Sequence, residues 1–201
     1  GENLLVNAMT ATPEGAEKLL SYKLGIKPPK QSSIDQHSSK FPIRKGMEGF
    51  DTIQVEFVPN QEAVVARIKE ATGMYKRSLF VAPEAETARQ LAGAIQGRVA
   101  LLDGETIKRP QYVRIAEEGI RNPKKGDLNV VTIPAGARQM NYRNPDAFYG
   151  VDLYKLPMGD VVQAINRANR NEGEHSPRVL LNNVENLLGT LGRIRDTAES
   201  M

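Results

Sequence analysis

The chain has 201 residues, of which 40% are hydrophobic and 25% are charged, a composition typical of one globular domain with additional segments. It contains no cysteine, which excludes disulfides and thiolate chemistry. Its two histidines, His37 and His175, lie in polar stretches, so we expect no metal site in this chain. The net charge of +3 is compatible with a polyanionic partner but does not require one.

No apolar run approaches the roughly 20 residues that are needed to span a bilayer. The amino end carries neither a charged leader nor a cleavage signal. We therefore expect a cytoplasmic, soluble protein with no membrane segment.

Short β-rich runs alternate with helical patterns along the chain. This alternation predicts an α/β fold, in which crossover helices cover both faces of a parallel sheet. The predicted strands are Asn3–Ala8, Thr52–Val58, Ser78–Ala82, Arg98–Leu102, Asp127–Ile133 and Val151–Leu156. Residues 27–49 are rich in Pro, Ser, Lys and Gln, and they are predicted to form an exposed connection.

Helical patterns follow most of these runs. One helix is predicted to begin after the capping residue Asn60, and another to end before Gly97. A third is predicted over Pro110–Arg121, and a final helix over about residues 178–199.

Polar or turn-forming residues follow several of the predicted strands. Thr10 and Thr12 come after the first strand, Pro83 after the third, and Thr132 lies at the end of the fifth. Because ligands of open parallel sheets bind at the carboxyl ends of the strands, we expect these residues to share one functional edge.

A short polar pattern near the carboxyl end suggests phosphate chemistry. Gln163, Arg167 and Arg170 are spaced four and then three residues apart, which places all three side chains on one stripe of a helix. Two neighbouring guanidinium groups suit a phosphate whose charge grows during transfer. From the spacing alone, a solvated helix face that carries two arginines remains an alternative. The chain contains no Gly-Lys and no Asp-Glu dipeptide, so it lacks a phosphate-binding loop and a metal carboxylate to match.

Four segments in chain order resemble motifs of the second RecA-like domain of superfamily 2 helicases. They are 9–13 (motif III, in the form familiar from flavivirus-type viral helicases), 78–83 (motif IV), 127–142 (motif V) and 151–170 (motif VI). The resemblance implies a RecA-like domain over residues 1–175 and a C-terminal helix over residues 176–201. Asn166 replaces the usual glycine of motif VI, and Ile133-Pro134 and Gln139 replace the usual Thr-Asp pair and glycine of motif V.

This resemblance implies specific roles for the site residues. Arg167 and Arg170 would act as arginine fingers on the γ-phosphate, and Gln163 would be their companion on the nucleotide side. The coupling residues between two motor domains would be Thr10 and Thr12. The nucleic-acid contacts would be Thr132, Arg138 and Asn141, with Arg89 as a weaker candidate.

The resemblance also implies cofactors and partners. ATP or another NTP would be held together with Mg mainly by an N-terminal RecA-like domain, so this chain alone is expected to hydrolyse nothing. The expected nucleic-acid partner is a single strand, RNA rather than DNA. A cationic cluster could extend the phosphate track or be an ordinary solvated surface; it consists of Lys108, Arg109, Arg114, Arg121, Lys124 and Lys125.

The sequence leaves alternatives to the helicase motor. A double-strand translocase would use the same motor parts without unwinding. A non-catalytic RecA-like module that binds RNA or protein would fit the altered motif V. A small-molecule α/β enzyme is less well supported, because no acid, base and nucleophile converge in the sequence.

Overall fold

The computed structural model of the protein describes residues 53–122, 127–139, 145–167 and 176–199, which belong to one compact unit of residues 49–201. These residues form a six-stranded sheet in which every pairing is parallel. The strands are β1 (Ile53–Val58), β2 (Ser78–Val81), β3 (Val99–Leu102), β4 (Asn129–Thr132), β5 (Ala147–Val151) and β6 (Arg178–Asn183). Their order across the sheet is β1-β6-β5-β2-β4-β3.

Helices connect the strands. They are α1 (Gln61–Met74), α2 (Ala85–Ala94), α3 (Pro110–Arg121), α4 (Pro134–Gln139), α5 (Met158–Arg167) and α6 (Val184–Glu199), with 3₁₀ turns at Thr106–Lys108 and Leu153–Lys155. The predicted cap of α1 is confirmed, because the Asn60 side chain accepts a hydrogen bond from the Ala63 backbone N–H at 3.0 Å. None of the described helices is long and apolar enough to cross a membrane.

The sheet has a hydrophobic core on each face. One core contains Val64, Ile68 and Ala71 of α1 and Ala88 and Leu91 of α2. The other contains Ala116 and Ile120 of α3, Ala137 of α4, and Ala164 and Ile165 of α5. Strands β2, β4 and β5 are buried along their whole length, as expected of parallel strands that are covered on both faces.

Two sequence predictions near the carboxyl end are wrong. The strand predicted over Val151–Leu156 is instead β5, which ends at Val151, followed by a 3₁₀ turn. The helix predicted over residues 178–199 begins only at Val184, because the preceding six residues form β6 between β1 and β5. Asn183 sets this boundary, since its side-chain oxygen accepts a hydrogen bond from the Asn186 N–H at 3.3 Å and caps α6. Residues 178–199 therefore contribute a strand to the sheet as well as a helix.

Candidate functional site

The carboxyl end of β4 carries a threonine that faces the interior. The Thr132 side chain is fully buried, and its hydroxyl donates to the Leu102 carbonyl at the end of β3, at 3.1 Å. This burial does not fit a direct contact between the hydroxyl and a nucleic-acid strand. In this structure, Thr132 instead ties the ends of β4 and β3 together.

Helix α4 lies very close to this threonine. A Cβ atom at Gly136 would lie 2.0 Å from the Thr132 hydroxyl oxygen and 3.3 Å from the Leu102 carbonyl oxygen. Only glycine allows α4 to approach the strand ends this closely. Ala137, the next residue, is 1% exposed, so the short helix is fixed on its inner side.

Helix α5 presents two different faces. Ala164 and Ile165 are each 2% exposed and pack in the core together with the half-buried Val161. Gln163 is half-buried on another side of the helix. The spacing places Asp160, Gln163 and Arg167 on one stripe, separated by three and four residues. Arg167 is the last residue of α5, and its side chain lies outside the described part of the structure, as does all of Arg170.

An ion pair joins α4 to α5. The Arg138 Nη1 atom donates to Oδ1 of Asp160, which lies in the first turn of α5. The Arg138 side chain is 46% exposed and the Asp160 side chain 27% exposed. Asp160 was not singled out from the sequence, although an acidic residue in the first turn of a helix is a recognisable signal. The pair connects a residue predicted to bind nucleic acid to the polar stripe of α5.

A second pair lies after β3. Arg89 of α2 donates from Nε and Nη2 to Oδ2 of Asp103, at 3.1 and 2.9 Å. The other oxygen, Oδ1, accepts the backbone N–H groups of Glu105 and Thr106, both at 3.0 Å. Hydrogen bonds hold the pKa of Asp103 at about 2, below its ordinary value of 3.8, and the one from the Thr106 N–H contributes most. Burial of the carboxylate has the opposite effect and raises the pKa. Arg89 is therefore engaged with a carboxylate in this structure.

The low pKa of Asp103 predicts a pH-dependent stability. Because the folded-state pKa is depressed, the stabilisation is fully present above the unfolded-state pKa and is lost as pH falls through the folded-state pKa. The difference corresponds to roughly 2 kcal/mol, at about 1.4 kcal/mol per pKa unit. In urea titrations between about pH 5 and about pH 2, the wild-type chain should lose this amount relative to Asp103→Asn. Parallel pH profiles for the two proteins would contradict the assigned pKa.

The carboxyl end of β5 is held by a buried aspartate. Asp152 is 1% exposed and adopts a left-handed backbone conformation, with a φ angle of 48°. Its Oδ1 atom accepts the Asn183 backbone N–H at 2.7 Å, and its Oδ2 atom accepts the Asn186 side-chain amide at 2.9 Å. Asp152 thus ties the end of β5 to the junction of β6 and α6, just before the chain enters α5. The sequence reasoning did not identify it.

Several predicted residues lie outside the described part of the structure. They are Thr10, Thr12, Asn141, Arg170, Lys124 and Lys125. The remaining members of the cationic cluster, Lys108, Arg109, Arg114 and Arg121, are exposed on α3 or just before it. Among the described residues, no three His, Cys, Asp or Glu side chains are grouped as a metal site.

No protein-family model matches the chain, and no curated protein matches it at a significant level. Among solved structures, the chain is similar to the yeast DEAD-box splicing factor Prp28, with a TM-score of 0.51 and 19% identity over 71% of this chain and 32% of that one. A CRISPR-associated protein is similar with a TM-score of 0.50 and 16% identity, over 65% of this chain and 16% of that one. The C-terminal domain of the DEAD-box protein Dbp5 matches with a TM-score of 0.48 and 18% identity, over 75% of this chain and 88% of that one.

The matched region spans only 32% of Prp28 and 16% of the CRISPR-associated protein. At these identities, a structural likeness concerns the fold and not the chemistry of individual residues. Together with the all-parallel sheet, the likeness to Prp28 confirms the predicted α/β RecA-like fold.

Proposed function

We propose that this chain is the second motor domain of an NTP-dependent nucleic-acid helicase. The observation that carries the proposal is the position of α5. The helix follows β5 at the carboxyl edge of a RecA-like sheet, and its core-facing side is filled by Ala164 and Ile165. Gln163 is half-buried on another side of the helix, and the spacing of three and four residues puts Asp160, Gln163 and Arg167 on one stripe. A helix with a polar stripe that begins at the ligand-binding edge of an open parallel sheet supports the proposal of an arginine finger over that of an ordinary solvated face.

The nucleotide would be shared with a second RecA-like domain. Arg167 and Arg170 would meet the γ-phosphate, and Gln163 would orient the arginines or contact the nucleotide. Two guanidinium groups fit a triphosphate in both charge and hydrogen-bonding geometry, because each offers a planar fork of donors. When bound, the NTP would supply the phosphoryl group that is transferred to water, and magnesium would neutralise negative charge on the phosphates. We propose that the partner domain holds most of the nucleotide and the metal, and that Thr10 and Thr12 couple the two domains.

The nucleic-acid strand would bind along the same carboxyl edge of the sheet. Arg138 is exposed there and Asn141 follows it in the sequence, so we propose these two residues as direct contacts with the phosphate backbone. The buried Thr132 would position the loop that carries them. Such contacts give salt-sensitive binding without sequence preference. We propose RNA as the favoured strand, and competition between RNA and DNA oligonucleotides of one sequence tests this.

Hydrolysis and unwinding by a two-domain protein provide the test of the function. The protein should contain this chain together with its first RecA-like domain, and ATP hydrolysis should be measured with and without a single strand. A helicase should show stimulated hydrolysis and displacement of a labelled strand from a duplex. Stimulated hydrolysis without displacement would favour a double-strand translocase. Strand binding that is insensitive to NTP, without hydrolysis, would reject the motor and favour a non-catalytic binding module.

A further inference from the structure

Arg138 is placed so that its guanidinium group can contact two partners at once. Only its Nη1 atom is engaged by Asp160. Among the described residues, the other guanidinium donors have no hydrogen-bond partner, and nearly half of the side chain is exposed. An arginine has five N–H donors in a fixed fork, so one edge can hold a carboxylate while another meets a phosphate.

The support behind Arg138 is rigid. Gly136 rests against Thr132 and the end of β3, with no room for even a Cβ atom, and Ala137 is buried. Helix α4 therefore has no room to shift toward the sheet when a ligand binds Arg138. On the other side of the ion pair, Asp160 belongs to the first turn of α5, whose amide groups bond to the Pro157 carbonyl.

We propose that Arg138 bridges a strand phosphate to Asp160, and that Asp160 is a positioning residue for strand binding. This inference rests on the proposed function, because it requires a strand at the α4 edge. The ion pair would hold the guanidinium in the orientation that receives the phosphate. Since coupling between sites is reciprocal, a strand bound to Arg138 would in turn fix the first turn of the helix that carries the proposed fingers.

A purely electrostatic role and a bridging role for Asp160 predict opposite changes in strand-binding affinity for Asp160→Asn. If Asp160 acts only as a nearby negative charge, its neutralisation should strengthen the binding of a polyanion. If it orients Arg138, the same change should weaken binding, because Arg138 must then be ordered when the strand binds. Glu84→Gln is the matched control, since Glu84 is a 61% exposed carboxylate at the start of α2. Among the described residues, its one ion-pair contact is with Lys155, at 3.9 Å.

The experiment measures binding of a labelled single-stranded RNA oligonucleotide to the 201-residue chain by fluorescence anisotropy over a range of salt concentrations. Arg138→Ala should lower affinity and reduce the slope of log K against log salt concentration by about 0.7, the value for one phosphate contact on a single strand. Asp160→Asn should lower affinity about threefold to tenfold, the effect of ordering one long side chain, and leave the slope unchanged. Glu84→Gln should bind as well as wild type or slightly better.

Three results would overturn the bridge. Affinity and slope that are unchanged in Arg138→Ala would remove Arg138 from the strand site. Asp160→Asn binding as tightly as Glu84→Gln would show that Asp160 acts only through its charge. A wild-type chain that does not bind single strands at low salt would reject the strand site itself together with the bridge, and this outcome distinguishes failure of the proposed function from failure of the bridge alone.

Discussion

Alanine at Arg167 or at Arg170 is expected to reduce strand-stimulated ATP hydrolysis by a factor of about 10³ to 10⁵ in a protein that contains both motor domains. An arginine finger stabilises charge that develops on the transferred phosphoryl group, so its loss should lower kcat more than it raises KM. The measurement is steady-state hydrolysis at saturating RNA. The two substitutions should not be additive, because both side chains act on the same phosphate.

Two further variants sharpen this prediction. Arg167→Lys keeps the positive charge but loses the planar fork, so it should recover only part of the lost rate. Arg195→Ala is the matched control, since Arg195 is a 71% exposed arginine of α6 that pairs with Asp196 on its own helix. The control should hydrolyse ATP at the wild-type rate. Wild-type turnover in both Arg167→Ala and Arg170→Ala would end the motor assignment, whatever the fold.

Strands with a strong local signal were predicted well. The runs that contain β2, β3 and β4 are short, apolar and bounded by turn residues, and burial on both faces of a parallel sheet requires such runs. Both β5 and β6 were missed for different reasons. In segment 151–156 only Val151, Asp152 and Leu153 alternate apolar and polar residues like a strand, and the backbone turns at Asp152 into a left-handed conformation. In β6, the Val-Leu-Leu run is short enough to fit a helix or a strand. It forms a strand because it lies between β1 and β5 in the sheet.

The stripe of α5 could be predicted because it depends on spacing within one helix. The contacts around it could not, since they join residues that are distant in sequence. Arg138 and Asp160 are 22 positions apart, and Asp152 and Asn183 are 31 apart. The sequence also gives no sign of which way a hydroxyl at a strand end will point. Thr132 points inward, and Gly136 leaves room for its hydroxyl, which lies 2.0 Å from where a Cβ atom would stand.

Asp152 is the residue whose loss should most affect folding among those described at this edge. It is buried, it accepts two hydrogen bonds from the β6–α6 junction, and it is the one residue other than glycine with a positive φ angle in the described ranges. Left-handed backbone costs most residues about 1–2 kcal/mol, whereas Asn, Asp and Gly adopt it more readily. Its side-chain hydrogen bonds therefore stabilise the turn between β5 and α5, and its residue type lowers the cost of the left-handed backbone that the turn requires.

Asp152→Ala should lower the free energy of unfolding by about 2–4 kcal/mol. Roughly 1–3 kcal/mol comes from leaving the buried Asn183 N–H without an acceptor, and about 1 kcal/mol or more from left-handed strain at alanine. Asp152→Gly loses the same acceptor but not the backbone tolerance, so it should be about 1 kcal/mol less destabilised than alanine. Urea denaturation of the 201-residue chain measures all three proteins.

Asp152→Asn separates the contribution of the side-chain hydrogen bonds from the cost of the left-handed backbone. Asparagine tolerates the left-handed conformation and keeps an oxygen for the Asn183 N–H, while its amide can pair with Asn186 if that side chain turns over. The expected loss is about 1 kcal/mol, well below that of alanine. If alanine, glycine and asparagine destabilised the chain equally, neither the hydrogen bonds nor the backbone conformation would explain the role of Asp152. If alanine were neutral, β6 would be held to β5 by the sheet alone, and the end of β5 would not need a side-chain anchor before α5.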